Sequence, residues 1–191
     1  VPGLIARLQA GETLALVSDA GTPLISDPGY RLIVAAHDAG VAVVPVPGPC
    51  AAITALSAAG LASDRFHFEG FLPSRQGPRV ARLKQLVEAT PTLILYEAPH
   101  RIVETLEDLV ATFGEERLAT LARELTKTFE TIRRASLGEL LAWVMADSNQ
   151  QRGEIVLVVA GAPEREATDT RALSAESILR VLVRELPVKQ A

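Results

Sequence analysis

The sequence predicts an α/β protein in which short apolar strands alternate with helices. Aliphatic and β-branched runs recur between amphipathic segments at the short spacing of βαβ units. Hydrophobic residues make up 48% of the chain and aromatic residues only 4%, so the core must consist mainly of Ala, Leu and Val. This composition excludes a disordered chain, and a net charge of −4 argues against a nucleic-acid binder held by bulk charge.

The composition also limits location and metal chemistry. A single cysteine excludes a disulfide framework and a cysteine-based zinc site, and it fits a reducing cytoplasm. No apolar run approaches the roughly 20 residues of a membrane span. The three histidines, His37, His67 and His100, lack the spacing of metal ligands. We therefore expect a cytoplasmic protein without a membrane anchor or a metal site.

Residues 1–63 are predicted to be the remainder of an N-terminal parallel α/β domain. The predicted elements are a helix over residues 1–10, a strand at Leu14–Val17, a helix from Asp27-Pro28 to Gly40, a strand at Val41–Val46 and a helix at Ala51–Ala59. Asp27 is the expected N-cap of the second helix. Because Val1 and Pro2 open directly inside a helical pattern, we expect further ordered residues before Val1.

Residues 64–162 are predicted to be a C-terminal mixed α/β domain with some antiparallel pairing. The predicted strands are Phe66–Phe71, Thr92–Tyr96, Leu118–Ala122, Thr131–Ser136 and Ile155–Ala160. Helical patterns cover Arg79–Ala89, Ile102–Val110 and Leu137–Met145. Residues 163–191 are predicted to be a linker and the start of a small helical tail, with Ser174 as the cap of its helix.

Two loops in the first half have the composition of a ligand site. The segment SDAGTPLISDPG (residues 18–29) combines small residues with Asp19, which could accept hydrogen bonds from an amine or a ribose hydroxyl. The segment PVPGPC (residues 45–50) places Gly48 between two prolines before a helix N-terminus, which attracts carboxylates and phosphates. An ordinary crossover loop is the alternative interpretation of the first segment. Cys50 is expected to be a small buried thiol beside the helix start and not a nucleophile.

Two charged segments are candidates for proton transfer. YEAPHR (residues 96–101) places Glu97, His100 and Arg101 between a strand and a helix, and ARELTKTFET (residues 122–131) brings Glu124 and Lys127 between two strands. The alternative is that both segments are solvated polar surface. Four arginines could form a local basic surface for RNA: Arg75, Arg79, Arg101 and Arg123. The alternative is that the charges over residues 79–84 are only the solvent-exposed face of a helix.

The order and spacing of six segments resemble the tetrapyrrole methylase superfamily and, within it, the bacterial enzymes that methylate a ribose 2′-oxygen of 16S ribosomal RNA. These segments are SDAGTPLISDPGY, VVPVPGPCAAITAL, FEGFLP, YEAPHRI, ARELTKTFE and RGEIVLVVAG, and they cover nearly the whole chain. The resemblance implies two α/β domains of the tetrapyrrole methylase type with a ligand cleft between them. It also implies S-adenosyl-L-methionine as cofactor and a homodimer, which is common in the superfamily.

The resemblance implies that three segments of the chain contact the cofactor. The expected contact residues are Asp19, Ala20, Gly21 and Thr22 in the first segment, Gly48, Cys50 and Ala51 in the second, and Glu154, Ile155 and Leu157 in the third. Cys50 stands where serine is usual, and the family's first strand and its Gly/Pro-containing loop have no counterpart in this sequence. The expected function is methylation of a cytidine 2′-oxygen in 16S rRNA of the small ribosomal subunit, with Glu97, His100, Glu124 and Lys127 as the catalytic candidates. The alternatives are a methyltransferase of a tetrapyrrole or other small metabolite, and a non-catalytic RNA- or nucleotide-binding module.

Overall fold

The computed structural model describes residues 1–163. Within this range the helices are α1 (Pro2–Gln9), α2 (Tyr30–Asp38), α3 (Ala51–Ala58), α4 (Gln76–Leu86), α5 (Ile102–Phe113) and α6 (Leu137–Ala146). The strands are β1 (Phe66–Phe71), β2 (Thr92–Glu97), β3 (Leu118–Arg123), β4 (Thr131–Ser136) and β5 (Ile155–Val159). Short 3₁₀ helices cover Pro99–Arg101 and Ser148–Gln151. The predicted tail at 163–191 lies outside the described residues except for Pro163.

The five strands form one mixed sheet in the order β1-β2-β5-β3-β4. The pair β1–β2 is parallel and is connected through α4, whereas the pairs β2–β5, β5–β3 and β3–β4 are antiparallel. The prediction of a mixed α/β fold with antiparallel pairing is therefore confirmed. Glu97 at the end of β2 and Arg123 at the end of β3 both pair with Ile155 at the start of β5. The loops that flank these three positions consequently lie at the same end of the sheet.

Helices cover both faces of the sheet. One core contains buried residues of α4, α5 and α6 together with alternate residues of the central strands, among them Leu95, Leu121 and Leu157. The other core packs α3 against Ile94 of β2 and against Val156 and Val158 of β5. All five residues of β5 are buried, as expected for a strand covered on both faces.

The first 63 residues differ from their predicted parallel domain. Within the described residues, the predicted strands Leu14–Val17 and Val41–Val46 pair with no other strand and carry no regular secondary structure. Their apolar side chains are largely exposed, with Val17 and Val44 each 80% exposed. An apolar run shows that a segment favours burial, but a strand also needs a hydrogen-bonding partner, which the run itself does not specify.

The start of α2 also differs from the prediction. Gly29, and not Asp27, is the N-cap, and its φ of 136° is readily adopted by glycine. No side-chain hydrogen bond caps this helix, so the first turn is set by the backbone conformation of Gly29. Residues 1–161 form one compact unit, and the predicted boundary at residue 63 stays a prediction. Within residues 1–163, none of the helices combines the length and the apolar composition that a membrane-spanning helix needs.

Candidate active site

A cavity of about 580 Å³ opens at the end of the sheet where β2 and β3 end and β5 begins. Its size is in the range typical of small-molecule sites. Its lining comes from six segments of the chain. These are the first loop (Ala20, Gly21, Thr22, Ile25, Ser26 and Asp27), the start of α3 (Pro49, Cys50, Ala51 and Thr54), the end of β1 (Phe71), the end of β2 and the residues after it (Tyr96 to Pro99), the loop after β3 (Leu125 to Lys127) and the start of β5 (Gly153 to Val156).

The two glycine- and proline-containing loops meet at this cavity. The hydroxyl of Thr22 donates a hydrogen bond to the carbonyl oxygen of Pro49 at 2.8 Å. This contact places the predicted cofactor segments side by side, although Asp19 and Gly48 themselves are exposed and do not line the cavity. A Cβ added to Gly48 would meet only the carbonyl oxygen of Val46, at 3.9 Å. Within the described chain, a side chain at position 48 would therefore not collide with any neighbouring atom.

The start of β5 contributes differently from the sequence expectation. Leu157 is fully buried in the core formed with α4, α5 and α6, whereas Val156 faces α3 and lines the cavity. Alternation along a strand places neighbouring residues on opposite faces, so Val156 occupies the position in the lining that was expected of Leu157. The alternation of β5 against α3 is the signal that could have identified Val156.

Tyr96 connects the sheet to the start of α3. Its hydroxyl accepts a hydrogen bond from the backbone N–H of Ala52 at 3.1 Å, which satisfies a donor of the first helical turn. Its ring makes edge-to-face contacts with Phe68 and Phe71, at centroid distances of 5.0 and 5.7 Å. Burial raises the pKa of Tyr96, so its phenol stays protonated at neutral pH. Sequence reasoning missed Tyr96, although it precedes the candidate Glu97 directly.

Glu97 is buried and its carboxylate accepts three hydrogen bonds. The donors are the Arg101 guanidinium at 2.5 Å, the Thr105 hydroxyl at 2.6 Å and the Ala98 N–H at 2.7 Å. These bonds tie the end of β2 to the 3₁₀ turn and to the first turns of α5, which indicates a structural contribution. His100 is exposed on the 3₁₀ turn and is absent from the cavity lining.

Glu124, Lys127 and Glu154 form a charged cluster at the cavity, hereafter the 124/127/154 cluster. The Lys127 ammonium lies 2.9 Å from Glu124 Oε1 and 3.2 Å from Glu154 Oε2. The backbone N–H of Glu154 also donates to Glu124 Oε1, at 2.8 Å. That backbone hydrogen bond, together with Lys127, lowers the pKa of Glu124, and the bond from Lys127 to Glu124 raises the pKa of Lys127. Both groups are therefore charged at neutral pH.

The ionisable lining of the cavity is acidic in balance. It contains Asp27, Glu97 and Glu154 against Lys127, and Glu97 is neutralised by Arg101. Such an arrangement favours a ligand that carries positive charge over an anionic one. Among the described residues, no group of three or more His, Cys, Asp or Glu residues could hold a metal ion.

The four arginines predicted to contact RNA lie in different surroundings. Arg75 is exposed as the N-cap of α4, and Arg101 is half-buried against Glu97. Arg79 is 1% exposed and forms a 2.6 Å ion pair with Asp108, which indicates a structural role in joining α4 to α5. Arg123 is 7% exposed and its Nη2 donates to the Thr131 hydroxyl. The structure therefore does not bring these four side chains together on one basic surface.

Comparison with known families identifies the family of this chain. Residues 3–141 match the sequence model of the tetrapyrrole (corrin/porphyrin) methylases. The chain belongs to the tetrapyrrole methylase family. Several curated relatives share more than half of their aligned residues with this chain. The chain is 58% identical over 187 residues to the ribosomal RNA small subunit methyltransferase I of Pseudomonas aeruginosa, and 55% identical over 188 residues to that of Escherichia coli O157:H7.

The chain spans about two thirds of the length of these relatives. The matches cover 98% of this chain but 66% and 65% of the two relatives. Among solved structures, the methyltransferase CobJ superposes with a TM-score of 0.63 at 21% identity, over 87% of this chain and 72% of that one. Uroporphyrin-III-C-methyltransferase from Thermus thermophilus gives a TM-score of 0.56 at 23% identity, over 83% and 69%. These likenesses identify the tetrapyrrole methylase fold.

Proposed function

We propose that this chain is part of an S-adenosyl-L-methionine-dependent methyltransferase that modifies a cytidine ribose 2′-oxygen in 16S rRNA of the small ribosomal subunit. The observation that carries the proposal is the charged cavity, formed where the segments that resemble the family's cofactor site converge. The relatives at 55% and 58% identity, whose names specify small-subunit ribosomal RNA, support the choice of substrate. That substrate would place the protein in the cytoplasm.

The cavity has the properties that the cofactor requires. It is large enough for a nucleoside-sized ligand, and its acidic balance suits a sulfonium and an amine. Ala20, Gly21 and Thr22 would bind it together with Cys50 and Ala51, and Glu154, Ile155 and Val156 would contact it from β5. Asp19 and Gly48 lie in the same two loops and belong to the same proposed site. When bound, the cofactor supplies a methyl group on a positively charged sulfur, which is already a good leaving group.

The described residues act mainly by position and charge. Methyl transfer would require the ribose 2′-hydroxyl to be held toward the methyl group and to lose its proton, so the described residues would have to orient that hydroxyl or accept the proton. Lys127 is protonated and the Glu97 carboxylate is occupied by three donors. Among the four candidates, Lys127 therefore fits best as a group that orients the substrate, and positioning the two reactants supplies most of the acceleration. Glu97, Glu124 and His100 remain proposed contributors.

Two further parts of the proposal concern the RNA and the assembly. Arg75 and Arg101 would supply contacts to phosphate, because they retain more accessible surface than Arg79 and Arg123. A homodimer would cover part of the exposed apolar surface of the first 63 residues, which includes Val44 and Val46. Light scattering of the purified protein tests the dimer.

The decisive experiment measures cofactor binding and methyl transfer separately. Calorimetry with S-adenosyl-L-methionine should give a saturable 1:1 isotherm, and radiolabelled methyl transfer should occur to small ribosomal subunits that lack the modification. Transfer to a porphyrinogen and not to ribosomal particles would instead identify a small-molecule methyltransferase. Cofactor or RNA binding without transfer to either would identify a non-catalytic module.

A further inference from the structure

The ring of Phe71 lies at the margin of the cavity and is 53% exposed. It is one of only five phenylalanines in the chain, and a large apolar ring is costly to leave in water. We propose that Phe71 is the platform on which an unpaired nucleobase of the RNA substrate stacks when the ribose enters the cavity. This inference rests on the proposed function and adds a residue that determines how the substrate binds.

A β-bulge directs Phe71 toward the cavity. Phe68 pairs with Ile94 of β2, but the register then shifts so that Gly70 pairs with Leu95 and Phe71 with Tyr96. The extra residue, Glu69, reverses the alternation, and Phe71 therefore joins the face that carries Phe68 and Tyr96. Without the bulge, alternation would turn Phe71 to the opposite face, toward α4. Bulges that redirect a side chain are common beside active sites.

The backbone of this bulge requires glycine at position 70. Gly70 has a φ of +70°, a conformation that residues with a Cβ rarely adopt. A Cβ there would also lie 3.3 Å from Ser26 Oγ, in the first loop of the cavity. Gly70 therefore fixes the direction of Phe71 and lets the end of β1 approach the cavity loop.

The ring is held in place before any ligand binds. Tyr96 contacts it edge-to-face at 5.7 Å, and Tyr96 is itself held by Phe68 and by the N–H of Ala52. A preorganised ring loses little conformational entropy on binding. More than half of its surface stays open to solvent, which leaves it available to a planar partner.

An unpaired base is the partner that fits these features. Sequence-specific RNA recognition relies on bases that are unstacked and placed against aromatic side chains. Arg75, exposed four residues further along the chain, could hold the adjoining phosphate. Because Arg79 and Arg123 are buried, two of the four predicted arginines are not available to phosphate, and stacking on Phe71 would supply part of the affinity.

The test compares Phe71→Leu with Phe71→Trp and with the control Phe66→Leu. Phe66 lies at the other end of β1, is 43% exposed and does not line the cavity. The probe is a short single-stranded RNA in which one base is 2-aminopurine, whose fluorescence is quenched by stacking. Phe71→Leu should bind this RNA about 5- to 100-fold more weakly and lose the quenching, as expected for removal of one stacking aromatic. Phe71→Trp and Phe66→Leu should bind as the wild type does.

Calorimetry with S-adenosyl-L-methionine completes the test. The dissociation constant of S-adenosyl-L-methionine should be the same for the wild type and for Phe71→Leu. The inference is overturned if the wild-type protein does not quench the probe, or if Phe71→Leu binds RNA normally. It is also overturned if Phe71→Leu weakens only the cofactor, which would place the ring against the cofactor. Methyl transfer to small subunits is measured separately, so that its absence contradicts the proposed function while the quenching still decides the role of Phe71.

Discussion

The carboxylate of Glu124 lies directly against Gly153, at a point where any larger residue would collide with it. Glu124 has a φ of +52° and Gly153 a φ of +78°, so two left-handed residues face each other across the ends of β3 and β5. Glu124 N–H donates to the carbonyl of Glu154, and Glu154 N–H donates to the carboxylate of Glu124. This reciprocal pair holds the 124/127/154 cluster at the cavity.

Gly153→Ala should destabilise the protein by about 2–4 kcal/mol. The substitution combines backbone strain at a positive φ with displacement of the Glu124 carboxylate. Gly114→Ala is the matched control, because Gly114 has a φ of +91° but a Cβ at this position would meet no atom within 4 Å, and it should cost about 1 kcal/mol. Urea denaturation of both variants checks the difference. Equal losses would show that contact with Glu124 contributes nothing.

Glu124→Gln should remove a pH-dependent part of the stability. The backbone N–H of Glu154 and the Lys127 ammonium lower the folded-state pKa of Glu124, so its contribution is present above the unfolded pKa and is lost as pH falls through the folded pKa. We expect the variant to be about 1–2 kcal/mol less stable near pH 7, the size of a hydrogen bond to a charged group. The difference should vanish once the pH lies below the lowered folded-state pKa of Glu124. A difference that stays constant on acidification would contradict this.

The second half of the fold follows closely from local patterns. Alternation and β-branched runs predicted the ends of β1 to β5 to within one residue, because these strands pair with one another inside the described chain. Leu14–Val17 and Val41–Val46 have the same composition but no ladder. Pairing is a non-local property, and no pattern within a single segment determines whether a partner is present.

For the candidate cavity, the sequence predicted which segments form the lining better than it predicted which individual residues do so. The segments that contain Thr22, Cys50, Lys127 and Glu154 do line one cavity. The contribution of Phe71 depends on a register shift, and that of Tyr96 on contact with a helix 44 residues away in sequence. The roles of Arg79 and Arg123 depend on burial against partners distant in sequence, which a charge pattern alone does not predict.

Lys127→Gln should lower methyl transfer about 10- to 100-fold and change the affinity for S-adenosyl-L-methionine by less than about threefold. Loss of turnover without loss of binding is the pattern expected for a group that acts on the reacting substrate. Lys127→Arg keeps the charge and should recover part of the activity. Lys84→Gln, on the exposed side of α4, is the control and should resemble the wild type. Equal turnover of Lys127→Gln and the control would exclude Lys127 from the reaction.

Arg79→Met should destabilise the protein by about 3–5 kcal/mol, because it leaves the Asp108 carboxylate buried without its ionic partner. The double variant Arg79→Met/Asp108→Leu should recover much of this loss, since neither charge then remains buried. Thermal and urea denaturation of the double-mutant cycle measure the coupling. Additive losses would show that the two side chains do not stabilise the protein as a pair.

Arg75→Gln should weaken RNA binding while leaving stability unchanged. The side chain is exposed at the N-cap of α4 and makes no capping hydrogen bond there, so its loss should change unfolding by less than about 0.5 kcal/mol. If Arg75 contacts one phosphate, the slope of log affinity against log salt should decrease in magnitude by about 1.

The control is Arg31→Gln, which replaces an exposed arginine of α2 outside the cavity lining and should leave that slope unchanged. The measurement is a salt titration of RNA binding by fluorescence anisotropy with both variants and the wild type. An unchanged slope for Arg75→Gln would remove Arg75 from the proposed RNA contacts, and binding would then depend on stacking at Phe71, on Arg101 and on groups outside the four predicted arginines.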